Sequence, residues 1–177
     1  DRGVSTVATN PSTRPTDLGG KYMTFRLAGE DYGLQILHVR ELIGVQDITR
    51  VPGAPPYLRG VLNLRGKVVP VIDLRLRFGM GAAEVTEQSV IIVVQVRHAS
   101  GEIVIGALVD EVLEVRDIAA ANTEPPPALG INAVSPDFIL GVGKVDRRVV
   151  FLLDVDRVLT PDQASTAVQH RRLDRLQ

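Results

Sequence analysis

A block of this chain occurs twice. Leu58–Leu74, laid without a gap on Ile139–Val155, puts Gly60 on Gly141, Lys67 on Arg148, Val68-Val69 on Val149-Val150 and Asp73 on Asp154, an offset of 81 (141 − 60). A second echo precedes each copy, Glu41–Ile48 against Glu111–Ile118. Two echoes in the same order mean one supersecondary unit built twice. Each unit needs an opening hairpin of its own, so strands at the seam between the units are candidates for exchange.

Local patterns say what the unit is made of. Met23, Phe25 and Leu27 alternate with Thr24 and Arg26, the period of a half-buried strand. That strand opens an ordered region starting at Tyr22, turns at Ala28–Asp31 and returns over Tyr32–Ile36. After a short turn, a third strand ends near Gln46. Pro56–Arg59 fits one helical turn with proline in its opening position. Val61–Leu64 and Lys67–Ile72 form a hairpin across Arg65-Gly66, with Pro70 marking an edge or a bulge. Leu74–Phe78 reads as a helical turn stopped by Gly79. Gln88–Val96 and Ile103–Val115 are strong strands, Ala119–Asp137 a loop, and Ile139–Val142 with Arg148–Val155 a second hairpin across Asp146-Arg147. Thr160-Pro-Asp-Gln163 has the form of a capping box, so a C-terminal helix or frayed tail follows over 161–177. Residues 1–20 are rich in Ser, Thr, Pro and Gly and read as a disordered lead-in. The body at 21–160 is therefore all-β, two intertwined five-stranded barrels with short helical turns.

Several chemistries fall away on composition and spacing. The chain has 177 residues, no cysteine and a net charge of −1, so thiolate chemistry is excluded and no long-range pull toward nucleic acid is expected. Its longest unbroken apolar run, Val90–Val94, is too short to span a bilayer, and no secretion signal is visible. Gly60 and Gly66-Lys67 miss the phosphate-loop spacing, and Val68 stands where Ser or Thr would hold magnesium. Gly141-Val-Gly143 lacks the third glycine of a dinucleotide fingerprint. His38, His98 and His170 lie in unrelated segments, so no metal ligand set or acid–base dyad is expected. Asp73 and Asp154 are equivalent under the repeat, which assigns both to capping the turn after their strands rather than to catalysis. Arg59, Arg65, Lys67, Arg75 and Arg77 are locally basic, yet aromatics are only 4% of the chain and offer no stacking platform for bases. Arg65, at a hairpin tip, is suited to clamp a carboxylate bidentately, whether Glu41 or a partner's.

The run Tyr32-Gly-Leu-Gln-Ile-Leu-His-Val-Arg-Glu-Leu42, with Arg59-Gly-Val-Leu-Asn-Leu-Arg-Gly66 and Val69-Pro-Val-Ile-Asp-Leu-Arg75, resembles the signature of CheW, the chemotaxis coupling family. Gly106-Ala-Leu-Val-Asp110 and Gly141-Val-Gly143 continue the match, which covers Lys21 to Thr160. The resemblance implies two Src-homology-3-like barrels sharing a hydrophobic core. It implies a cytoplasmic, non-enzymatic adaptor without cofactor or metal, associated with membrane receptor arrays. Its implied partners are the regulatory domain of the histidine kinase CheA and the cytoplasmic signalling tip of a chemoreceptor. Carried onto matching positions, Val39, Glu41 and Arg65 resemble receptor-facing residues, and Arg59 and Gly60 lie in the segment associated with kinase coupling. Ile36 and Leu42 are added to the receptor groove because a docked helix needs an apolar floor. Some relatives carry an aromatic ring contact in the loop 125–137, for which this chain offers Leu129 and Ile131. Two other readings stand beside this one: a coupling domain excised from a CheV-like or kinase protein, and a small-molecule-binding or enzymatic double barrel around His38 or Asp73.

Overall fold

The computed structural model describes residues 17–82, 84–99, 101–126 and 136–160. Among these residues eleven strands form: β1 (Gly20–Leu27), β2 (Glu30–Gln35), β3 (Val39–Gly44), β4 (Leu58–Leu64), β5 (Lys67–Asp73), β6 (Val90–His98), β7 (Gly101–Val109), β8 (Glu111–Ile118), β9 (Thr123–Glu124), β10 (Ile139–Val145) and β11 (Arg148–Leu153). Two one-turn helices, α1 (Leu74–Arg77) and α2 (Val155–Val158), follow β5 and β11. The strands make two sheets, ordered β8-β1-β2-β11-β10-β9 and β3-β6-β7-β5-β4.

These orders are the same order. In each, an antiparallel hairpin lies between a lone strand and a second hairpin, and one parallel pairing joins the hairpins, β2 with β11 and β7 with β5. Leu152 pairs with Gly33 as Val71 pairs with Gly106, and 152 − 71 is the repeat offset of 81. Hence β1–β2 is the counterpart of β6–β7, and β3 of β8. The opening hairpins have changed places: β1–β2 of the first repeat completes the second repeat's sheet, and β6–β7 completes the first's. Expected five-stranded units appear as six and five strands because β9 is a two-residue strand. Its counterpart is the isolated bridge Thr49↔Val61, equivalent to Glu124↔Val142.

Burial follows the strand period. Ile91 and Val93 face a cluster inside the first barrel with Leu62, Val69, Val71 and Leu108, while Ile92, Val94 and Val96 face a cluster between the sheets. The latter takes Phe25, Leu27 and Leu34 from one sheet and Ile105 and Ala107 from the other, so the core is shared. A third cluster, Leu18, Tyr22, Ile118, Leu140, Val150 and Leu152, fills the second barrel.

Several local expectations change. Order starts before Tyr22, because Leu18 is buried and its carbonyl accepts the Tyr22 hydroxyl at 2.5 Å. In place of a helical turn at Pro56–Arg59, a reverse turn over Pro55–Leu58 is closed by Leu58 N–H to Pro55 O at 3.0 Å, and Arg59 already belongs to β4. Ile103–Val115 divides at Asp110, where the chain crosses between sheets; the Asp110 carboxylate accepts Ala28 N–H and Arg75, both at 2.8 Å. β5 is an inner strand, and Pro70 sits just outside its ladder to β7, which begins at Val71. Asp73 caps α1, accepting Arg75 N–H and Leu76 N–H, whereas Asp154 makes no side-chain cap to α2. The expected C-terminal helix lies outside the described residues.

Candidate functional site

The second echo needs a new register before the site can be read. Thr24 pairs with Gly33 and Val93 with Gly106, so Thr24 and Val93 are equivalent. Glu41 faces Val93, and Thr24 exchanges hydrogen bonds with Glu114 (2.6 and 3.1 Å). Glu41 therefore corresponds to Glu114, at an offset of 73 (114 − 41), and not to Glu111. Leu42 then matches Val115.

At the mouth of the first barrel, β3 and the β4–β5 tip meet. Arg65 and Gly66 both take left-handed backbone, φ 51° and 88°, and Asn63 Oδ1 accepts Gly66 N–H at 2.7 Å. That turn lays the Arg65 guanidinium on the Glu41 carboxylate. The hydrogen bond to Glu41, and then its charge, hold the arginine above its ordinary pKa, so it is a permanent cation. Arg40 and Lys67 join the pair around a cavity of about 410 Å³ floored by Leu64, Val69, Val93 and Val104. Three cations and one carboxylate over an apolar floor suit an acidic, amphipathic partner.

A bulge at Arg40 separates two faces of β3: Val39 opposes Val94, Glu41 opposes Val93. Val39 and Leu42 therefore point toward the inter-barrel side while Glu41 points to the mouth. Ile36 and Val39 pack half-buried on the shared core, and Leu42 is 43% exposed.

At the other end of β4, Arg59 is the extra residue of a second bulge, where Leu58 opposes Ile72 and Gly60 opposes Val71. Its Nε lies 3.9 Å from Asp73 Oδ2, an oxygen that is buried and lacks a hydrogen-bond partner. Arg59 and Arg50 line a cavity of about 460 Å³ with Val45, Ile48, Leu58 and Leu76. Gly60 is buried at φ 146°; a Cβ there would collide with the Thr49 carbonyl.

The second barrel has an equivalent mouth in which one charge changes sign. Asp146 stands where Arg65 does, and Arg116 bridges it (2.6 Å) to Glu114 (2.8 Å). Val115 and Val149, 47% and 49% exposed, are the counterparts of the exposed Leu42 and Val68.

A CheW-like domain model matches residues 21–163. This chain belongs to the CheW-like family. It is 34% identical over 159 residues to the chemotaxis protein CheW of Rhizobium meliloti, covering 90% of this chain and 99% of that one. The Klebsiella aerogenes CheW is 32% identical over 146 residues, covering 82% and 85%. The crystal structure of scaffolding protein TtCheW from Thermoanaerobacter tengcongensis superposes with a TM-score of 0.72 at 34% identity, covering 82% of this chain and 95% of that chain.

Of the residues that the CheW resemblance singled out, the structure brings Glu41 and Arg65 into contact and sets Ile36, Val39 and Leu42 beside them on the inter-barrel face. Arg59 and Gly60 lie at the opposite end of the hairpin, and Gly60 presents no surface. Leu129 and Ile131 lie outside the described residues. The ring of His38 meets Gln95 O at 3.2 Å, and Asp73 caps α1. Sequence reasoning missed Leu37, at 76% the most exposed large apolar side chain among the described residues, and the pair Val115 and Val149. Leu37 was legible as the middle residue of a three-residue 3-10 turn, Ile36–His38, whose side chains point three ways. The valines needed the offset of 73.

Proposed function

We propose that this CheW-like chain couples the cytoplasmic signalling tip of a chemoreceptor to the regulatory domain of the histidine kinase CheA, each held on a different face. As a member of its family it is a chemotaxis scaffold, working by contact rather than turnover. The observation that carries the reading is the pairing of Arg65 with Glu41 over an apolar floor, flanked by exposed Leu37 and Leu42. A receptor helix lays its apolar face along Ile36, Val39 and Leu42 and presents a carboxylate to Arg65. The kinase domain engages the Arg59 end, where Gly60 acts by letting the Thr49 backbone close on β4. The exposed strip beside the second mouth, with Val115 and Val149, is left for a neighbouring kinase domain in the array, together with Leu129 and Ile131. On this reading the protein works on the cytoplasmic side of receptor arrays, where avidity supplies strength that single contacts lack.

Titrating purified protein with a receptor-tip fragment and with a CheA regulatory-domain fragment tests this. Arg65→Ala is expected to weaken receptor binding about tenfold and kinase binding by less than about twofold. Equal loss at both, with folding intact, would reject the assignment of faces.

A further inference from the structure

The two long hairpins run from the barrel mouths to a common point. The base of β4–β5 is pinned by Asp73 N–H to Tyr57 O at 2.8 Å, and that of β10–β11 by Asp154 N–H to Phe138 O at 2.9 Å. Tyr57 and Phe138 are equivalent under the repeat, so their rings form a symmetric seat. One residue fills it asymmetrically. The Arg77 guanidinium lies 4.5 Å from the Tyr57 ring centre and 4.7 Å from that of Phe138. Its Nε–H donates to Val158 O at 2.8 Å, and a terminal nitrogen reaches Arg157 O at 3.3 Å and Thr160 O at 3.5 Å. Val158 is itself the counterpart of Arg77, so the first repeat's arginine closes the end of the second repeat's helix.

Rings extend this contact across the shared core. Phe138 packs on Phe78 (5.9 Å), Phe78 on Tyr32 (5.7 Å), and Tyr32 on Phe25 and Phe151 (5.9 and 5.5 Å). All four phenylalanines of the chain thus belong to one row ending at Arg77.

We infer that Arg77 is a positioning residue that locks the bases of the two hairpins together, so that a partner at the first mouth changes the affinity at the Arg59 end. A hairpin pinned at its base tilts as a unit, and neither can tilt without disturbing the seat. The guanidinium suits the task because it stacks on both faces while its edge hydrogen-bonds carbonyls; lysine can do only part of this. The inference rests on the two-face reading above and adds the link between the faces.

The test uses the full chain, the receptor-tip fragment and the CheA regulatory-domain fragment, with each affinity measured in the absence and presence of the other fragment. In the unmodified protein one fragment should shift the other's affinity about fivefold or more. Arg77→Met and Arg77→Lys, the second keeping a cation between the rings, should each reduce that factor to below about twofold, while each affinity measured alone stays within about twofold. Hydrogen exchange at Val158 and Leu159 should quicken at least about tenfold in Arg77→Met, with β6 and β7 unchanged. An unchanged coupling factor in both variants, or no coupling in the unmodified protein, overturns the inference while leaving two-face binding intact. Failure of either fragment to bind the unmodified protein removes the two-face reading and this inference with it.

Discussion

Single residues in this molecule carry duties that their chemistry alone does not announce. Gly60 stands in a kinase-associated segment, yet it is buried, and its left-handed φ and missing Cβ let Thr49 pair with Val61. Gly141 makes the same allowance for Glu124 in the second repeat. Gly60→Ala is expected to cost about 2–4 kcal/mol, read as a lower denaturant midpoint at unchanged slope. Kinase coupling would then fall with the fold rather than through lost surface. Tyr32 makes a separate prediction. Burial first, and then the charge of Glu30, push its phenol up to about 12 from an ordinary 10.0, and burial with Asp17 raises Tyr22 in the same direction. The folded state therefore retains protons that the unfolded chain has released. Stability is intact below pH 10 and falls as the pH rises toward 12, where an ultraviolet titration should show tyrosinate appearing together with unfolding. Early, reversible ionisation of Tyr32 and Tyr22 in the folded protein would contradict this placement.

At the level of elements, the duplicated hairpin was legible because glycine and aspartate recur at fixed positions among valines, and those residues are hard to exchange in a tight bulge and a helix start. α2 was implied by the same offset and went unread, because Val155–Val158 has no pattern of its own over so short a run. The second echo failed for a different reason. Glu111-Val-Leu-Glu114-Val nearly repeats itself after three residues, so glutamate matches glutamate in either register and only strand pairing decides. The site was legible where charge sat at a turn, as with Arg65, and hidden where function depended on which side of a strand faced solvent, as with Val115. Turn chemistry also yields a prediction. The second hairpin places Arg147 at φ 68°, where the first has Gly66, and among the described residues Arg147 has no ion-pair partner. Arg147→Gly should stabilise the protein by about 0.5–1 kcal/mol. In a thermal melt that is a rise of roughly 1–4 °C. A fall would show that the arginine side chain makes a contact that outweighs its strained backbone.

For the molecule as a whole, the exchanged hairpins decide what counts as a domain. β1–β2 is joined through the chain to one repeat and hydrogen-bonded into the sheet of the other, so neither repeat owns a complete barrel. A fragment comprising residues 17–82 should remain unfolded by circular dichroism, lacking β6–β7 for one sheet and β8, β10 and β11 for the other. Independent folding of that fragment would refute the exchange. The intact chain should unfold in one transition, since the inter-sheet cluster draws on both. Such interlacing also bears on how these scaffolds diversify. A crossover that imports one repeat from a relative brings a foreign wall into both barrels at once, so new receptor preference is reached more readily by substitutions at a rim than by shuffling halves.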